Sequence, residues 1–159
     1  MAEVSALTAA ERALVEALDR RGVRFMLVGL SAALLQGANV STQDIDLWFE
    51  ELGDPRIGEA VREVGGIWVS GSFGMRPPGI AGDVLGDRLD VVTHMHGLET
   101  FDVEYAGALS IEIDGLMVKV LPLARIVASK RATGRPKDQA QVPALEEALA
   151  VIEGGADPE

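Results

Sequence analysis

The sequence predicts an α+β domain of the α/β type, in which strands and helices alternate along the chain. Three observations carry this. Residues 23–28 form a nearly continuous apolar run, the pattern of a strand buried on both faces. Residues 44–49 alternate instead, with Ile45, Leu47 and Phe49 on one face and Asp44 and Asp46 on the other. Between and beyond these runs, apolar residues recur at helical spacing behind recognisable start signals.

The elements follow in order. Thr8 and Glu11 have the spacing of a capping box, and Leu14, Val15 and Leu18 then make a helical stripe that Gly22 ends. The strand at 23–28 runs into Gly29, a strand-to-helix turn, and a short helix over 31–36. After a loop at 38–43 comes the acidic strand. Asp54 and Pro55 open the next helix as N-cap and first residue, with Ile57, Ala60, Val61 and Val64 facing inward. Residues 67–69 read as a short strand, and 70–86, rich in Gly and Pro, as a mobile loop placed to close over a site. A strand at 88–93 carries Asp90, and a short helix is predicted over 98–108. Asp114-Gly115 signals a hairpin between strands at 111–113 and 116–120. A helix over 121–133 and a last helix over 139–152, with Pro143 near its start, complete the chain. One domain is expected over 1–153, with a frayed tail at 154–159.

Composition narrows the function classes. With 159 residues the chain suits one domain. No apolar run reaches the roughly 20 residues of a membrane span, so no membrane partner is expected. There is no cysteine, which excludes disulfides and thiolate metal sites and suits a cytoplasmic protein. A formal net charge of −11 opposes non-specific affinity for nucleic acid. Against that balance, Lys119, Arg125, Lys130, Arg131, Arg135 and Lys137 crowd into the last third. A solvated helix face is the ordinary meaning of such a run.

The candidate site follows from strand geometry. Asp44 and Asp46 point the same way, about 6.5–7 Å apart along the strand. Carboxylates so placed repel each other unless a cation lies between them. Asp90, on a later strand, brings a third. Three aspartates from two strands at a sheet edge can hold Mg²⁺, which takes oxygen ligands and usually keeps water and substrate phosphate as the rest of its shell. Two such ions can clamp the attacking and leaving oxygens of a displacement at phosphorus. Gly29, Leu30 and Ser31, at the turn into a helix, offer N–H groups to a polyphosphate. Lys130 reaches a phosphate or complements its own helix dipole; the two stand even. Asp138 caps the last helix or pairs with Lys130 or Arg131, capping being the commoner use. His94 and His96 lack a third ligand nearby and read as strand-end residues that edge the pocket. Trp48 and Trp68 read as packing residues.

These residues carry a resemblance. Val28-Gly29, then Asp-x-Asp at 44 and 46, then hydrophobic-Asp-hydrophobic at 89–91 resemble the nucleotidyltransferase superfamily that includes DNA polymerase beta and the bacterial minimal nucleotidyltransferases. Val120-Leu121-Pro122-Leu123, Ser129-Lys130-Arg131-Ala132 and Gly134-Arg135-Pro136-Lys137-Asp138 resemble its small toxin-like branch, similar to abortive-infection toxins of toxin–antitoxin pairs. The resemblance spans about 23–149. It implies a nucleotidyltransferase-like mixed β-sheet flanked by helices, with C-terminal helices. It implies Asp44 and Asp46 as ligands of two Mg²⁺ ions (Mn²⁺ in their place), with Asp90 as third ligand, helping to activate the acceptor. It implies transfer of a nucleoside monophosphate from a nucleoside triphosphate (NTP) to an acceptor hydroxyl on a tRNA end, a protein or a small molecule, with an antitoxin as partner.

One position departs from the family pattern: Leu30 stands where a small residue usually follows the first glycine. The departure motivates an alternative, a catalytically silent binding or regulatory module of the same fold. A phosphoester hydrolase, with water in place of the acceptor, is the third reading.

Overall fold

The computed structural model describes residues 7–69 and 78–154. Its first helix, α1 (Ala9–Arg20), starts at the expected capping box: Glu11 N–H donates to Thr8 Oγ and the Thr8 amide to the Glu11 carboxylate. Then come β1 (Phe25–Val28), α2 (Gly29–Leu35) and β2 (Ile45–Phe49). Asp54 caps α3 (Pro55–Glu63), which leads to β3 (Ile67–Val69). β4 (Gly79–Ala81) and β5 (Leu89–Val92) precede α4 (Phe101–Ala106), the hairpin strands β6 (Leu109–Ile113) and β7 (Leu116–Val120), and the closing helices α5 (Leu123–Thr133) and α6 (Pro136–Glu153).

Five strands form one mixed sheet in the order β5-β2-β1-β7-β6, with β3 and β4 as a separate antiparallel pair. β1 is antiparallel to β2 and parallel to β7, while β2 is parallel to β5. The C-terminal end of β1 therefore lies beside the N-terminal ends of β2 and β5. The turn after β1 and the aspartates of β2 and β5 all meet at that edge.

Strand alternation sorts the two faces. Ile45, Leu47 and Phe49 are buried, while Asp46 and Trp48 are half-buried on the opposite face. Leu14, Val15 and Leu18 of α1 surround a small apolar void with Leu27, Ile45, Leu47, Leu89 and Val118, so α1 lies on the first face. On the second face Trp48 meets Phe101 of α4 edge-on at 5.4 Å, and Phe101 stacks on Tyr105. Trp68 is half-buried against the core. Both tryptophans pack, as expected.

Buried charges tie the helices to this frame. Glu11 is 1% exposed and pairs with Arg88, whose carbonyl accepts from the Ile45 amide at 2.7 Å. Glu104, also buried, receives both Arg125 Nε and Nη, at 3.0 and 2.7 Å, joining α4 to α5. Gln36 donates to the Leu121 carbonyl and accepts from the Leu123 amide, so α2 caps the start of α5.

Several boundaries differ from expectation. α4 begins at Phe101, not 98, because Thr100 accepts from the Val103 amide and starts the helix there. α6 begins at Pro136, with proline's fixed φ at its first position. Pro143 consequently sits inside the helix. The Gly/Pro-rich stretch is not wholly loop: Gly79–Ala81 pairs with β3. Residues 70–77 of the lid expected there lie outside the described residues. No helix among the described residues is long and apolar enough to cross a membrane.

Candidate active site

The site is built on a close backbone approach. Gly29 has φ +73°, and a Cβ there would lie 2.2 Å from Asp46 Oδ2. Only glycine lets the turn after β1 sit against that carboxylate. Val28 is the antiparallel partner of Asp46, and Asp90 is its parallel partner. Laterally paired residues of neighbouring strands lie about 5 Å apart with side chains on one face. Asp46 and Asp90 therefore stand side by side. Asp44 immediately precedes β2 and is exposed, its amide donating to Thr42 Oγ at 3.1 Å.

Electrostatics register the crowding. Burial, then the charges of Asp90 and Asp44, push the Asp46 carboxyl up to about 6, with Lys130 opposing. Burial, then Asp44 and Asp87, push Asp90 up as well. A cation between these groups would relieve both.

A cavity of about 160 Å³ opens beside Asp46. Gly29, Val28 and Val92 form its strand side, His94, Met95 and His96 its rim, and Lys130, Thr133, Arg135 and Asp138 the wall from the α5–α6 corner. The two histidine rings meet edge to face at 4.6 Å. Leu30 packs against the core and is not among the residues lining this cavity. Ser31 is half-buried and its hydroxyl donates to the Val28 carbonyl at 3.4 Å. Lys130 lies on the cavity wall, its Nζ 3.1 Å from Asp138 Oδ1.

Asp138 does not cap α6. The N-cap is Arg135, and Asp138, 5% exposed, collects Lys130, Thr133 and Arg135. Burial alone would raise its pKa, but those partners outweigh burial and hold it below the usual carboxylate range. Thr133 was not singled out from the sequence, and Arg135 only as one of the basic cluster and of the motif at 134–138. The pairing of Lys130 with a carboxylate eight residues on was the signal available.

Metal fit can be judged from the donors. Among the described residues no group of three His, Cys, Asp or Glu side chains forms a ready-made metal cage. Mg²⁺ does not ask for one, since it is usually bound by one or two carboxylates plus water and substrate phosphate. Asp46 and Asp90, in register and both destabilised as anions, fit that pattern, with Asp44 next along the chain.

No family model matches the chain, and no curated protein sequence does. Solved structures do. Similar to it are ANT(2")-Ia in complex with adenylyl-2"-tobramycin, at 16% identity, TM-score 0.59, covering 89% of this chain and 88% of that one. The lincomycin-bound lincosamide antibiotic adenylyltransferase LnuA matches at 12% identity and TM-score 0.59, covering 89% of this chain and 98% of that one. An antigenic nucleotidyltransferase-like protein from Paracoccidioides brasiliensis matches at 17% identity and TM-score 0.54, covering 91% and 78%. Identities this low speak to fold, and the fold of this chain is that of the nucleotidyltransferases.

Proposed function

We propose that the chain transfers a nucleoside monophosphate from an NTP to an acceptor hydroxyl, using Mg²⁺. The single observation that supports this most is the lateral register of Asp46 and Asp90 beside Gly29. Asp44, Asp46 and Asp90 would hold two Mg²⁺ ions, which supply charge neutralisation at the phosphates when bound. The turn at Gly29, Leu30 and Ser31 would meet the triphosphate from one side and Lys130 from the other.

In this reading the acceptor oxygen attacks the α-phosphorus, the bond to the bridging oxygen breaks, and pyrophosphate leaves. Asp90 takes the acceptor's proton. It is the exposed member of the in-register pair, on the edge strand of the sheet, where an acceptor can reach it.

A small hydroxylated molecule is the first acceptor class to test. The solved neighbours include enzymes described with tobramycin and lincomycin, and the net charge of −11 disfavours long nucleic acid. The toxin-like pattern of residues 120–138 makes a tRNA end or a protein hydroxyl, with an antitoxin partner, the second class.

The test is transfer of label from α-³²P NTPs in the presence of Mg²⁺. The expected result is acceptor-dependent labelling with release of pyrophosphate, lost in Asp46→Ala. Nucleotide breakdown without transfer would make the chain a hydrolase. Absence of both labelling and thermal stabilisation by NTP with Mg²⁺ would sink the enzymatic reading.

A further inference from the structure

We propose that Asp138 is a positioning residue for triphosphate recognition, its buried carboxylate fixing Lys130 and Arg135 on the cavity wall that faces Asp46. This rests on the nucleotidyl-transfer reading above and extends it to a residue that touches no reacting atom.

The side chain of Asp138 is 7% exposed, yet it gathers three polar partners. Lys130 Nζ lies 3.1 Å from Oδ1, while the Thr133 hydroxyl and Arg135 Nε lie 2.7 and 2.9 Å from Oδ2. Such a carboxylate at a helix start ordinarily caps it, but here the helix begins two residues earlier, at Pro136. Nor does the corner need it as its staple. Gln139 already donates to the Lys130 and Arg131 carbonyls at 2.9 and 3.3 Å, closing the end of α5.

What Asp138 adds is direction. Lys130, Thr133, Arg135 and Asp138 all line the cavity shared with Gly29 and Asp46. A lysine ammonium has three N–H donors; one directed at Asp138 leaves two for phosphate oxygens. A guanidinium anchored through Nε keeps the fork that suits phosphate. The lysine stem is flexible, and a fixed carboxylate beneath it removes that freedom before the ligand arrives. Two cations around one anion leave this wall a net positive charge opposite the aspartates, the polarity that a metal-bound polyphosphate requires.

The experiment compares the parent protein with Asp138→Asn, using α,β-methylene ATP and AMP as probes, each with Mg²⁺. Affinities come from calorimetry, and Lys130 reactivity toward acetic anhydride is read by mass spectrometry. In Asp138→Asn, ATP-analogue affinity should fall about tenfold, the scale of one charge-assisted hydrogen bond, while AMP affinity stays unchanged and Lys130 acylates faster. Lys130→Gln should cost less ATP-analogue affinity in the Asp138→Asn background than in the parent, because part of that lysine's contribution is already lost with its positioning. Should Asp138→Asn not fold, Thr133→Val, which strips one partner from the same carboxylate, should show a smaller loss of the same selectivity. Equal weakening of both nucleotides, or unchanged Lys130 reactivity, would overturn the positioning role. Absence of nucleotide binding by the parent, with Lys130 protected there and exposed in the variant, would remove the transfer reading and the triphosphate role together while leaving the Asp138–Lys130 contact standing.

Discussion

Burial and two neighbouring aspartates push the Asp46 carboxyl up to about 6. An unfolded aspartate titrates near 3.9. Between those values the folded chain binds a proton that the unfolded chain has lost, so stability at this site falls as pH rises from about 4 to 6 and stays lower above. The site gives up at most about 3 kcal/mol in this way, at about 1.4 kcal/mol per pKa unit. Asp46→Asn removes the charge and keeps the shape. With EDTA present it should melt several degrees above the parent at pH 8, and the two should melt together at pH 4. Millimolar Mg²⁺ should raise the parent's melting temperature and leave the variant's unchanged. A variant less stable than the parent at pH 8 would mean that the three carboxylates do not repel one another as their placement requires. At Asp90 the expectation is kinetic. Asp90→Asn should lower kcat by about 10²- to 10⁴-fold, the usual worth of a positioned base, with NTP still bound. Gly29→Ala carries both penalties. It forces a side chain into the left-handed region and into Asp46 Oδ2, so it should lose roughly 1–3 kcal/mol of stability by urea melting and all measurable transfer.

At the scale of elements, the question is what holds the Asp90 strand where it is. β5 is an edge strand of four residues that pairs with β2. An edge strand this short needs a further hold, and Glu11 supplies one by pairing with Arg88 just before it. The same carboxylate closes the capping box of α1. Glu11→Ala should therefore cost about 1.5–3 kcal/mol, the range for hydrogen bonds to charged groups, and should lower transfer by letting β5 shift. Glu11→Gln keeps the capping box, which glutamine also completes, and should cost less. If Glu11→Ala destabilises the protein without touching activity, β5 does not depend on α1. This contact also marks what sequence alone can and cannot disclose. The capping box, the Asp54-Pro55 start and the Asp114-Gly115 hairpin are local signals and were readable. So was the alternation of buried Ile45, Leu47 and Phe49 with half-buried Asp46 and Trp48, although the strand starts at Ile45 and leaves Asp44 just before it. The pairs Glu11–Arg88 and Glu104–Arg125 join residues far apart in the chain, and no periodicity announces them. The extent of α6 was misread because Arg135-Pro136 looks like punctuation, although proline at a first helical position is a beginning.

For the whole molecule, charge decides which acceptors can approach. The cations that crowd the last third of the sequence suggested a basic patch within a chain of net charge −11. Folding pairs most of these cations with carboxylates. Arg125 pairs with Glu104, Arg131 with Glu146, and both Lys130 and Arg135 with Asp138, while Lys119 lies over the Tyr105 ring. Nucleic-acid affinity comes from cations that release counterions from successive phosphates, and paired cations contribute little of it. The chain should therefore bind a 20-nucleotide single-stranded RNA no more tightly than about 10⁻⁴ M at 150 mM salt, the weak end of non-specific binding. Fluorescence anisotropy checks this directly. A nucleotide triphosphate makes a different demand, because it is short, carries its own Mg²⁺ and needs only the cavity wall around Lys130. Affinity for the triphosphate without affinity for the RNA would set the acceptor among small molecules or short exposed ends. Saturable RNA binding in the micromolar range would show instead that the corner cations leave their carboxylates for phosphate, and would move a tRNA end to the front of the acceptor classes.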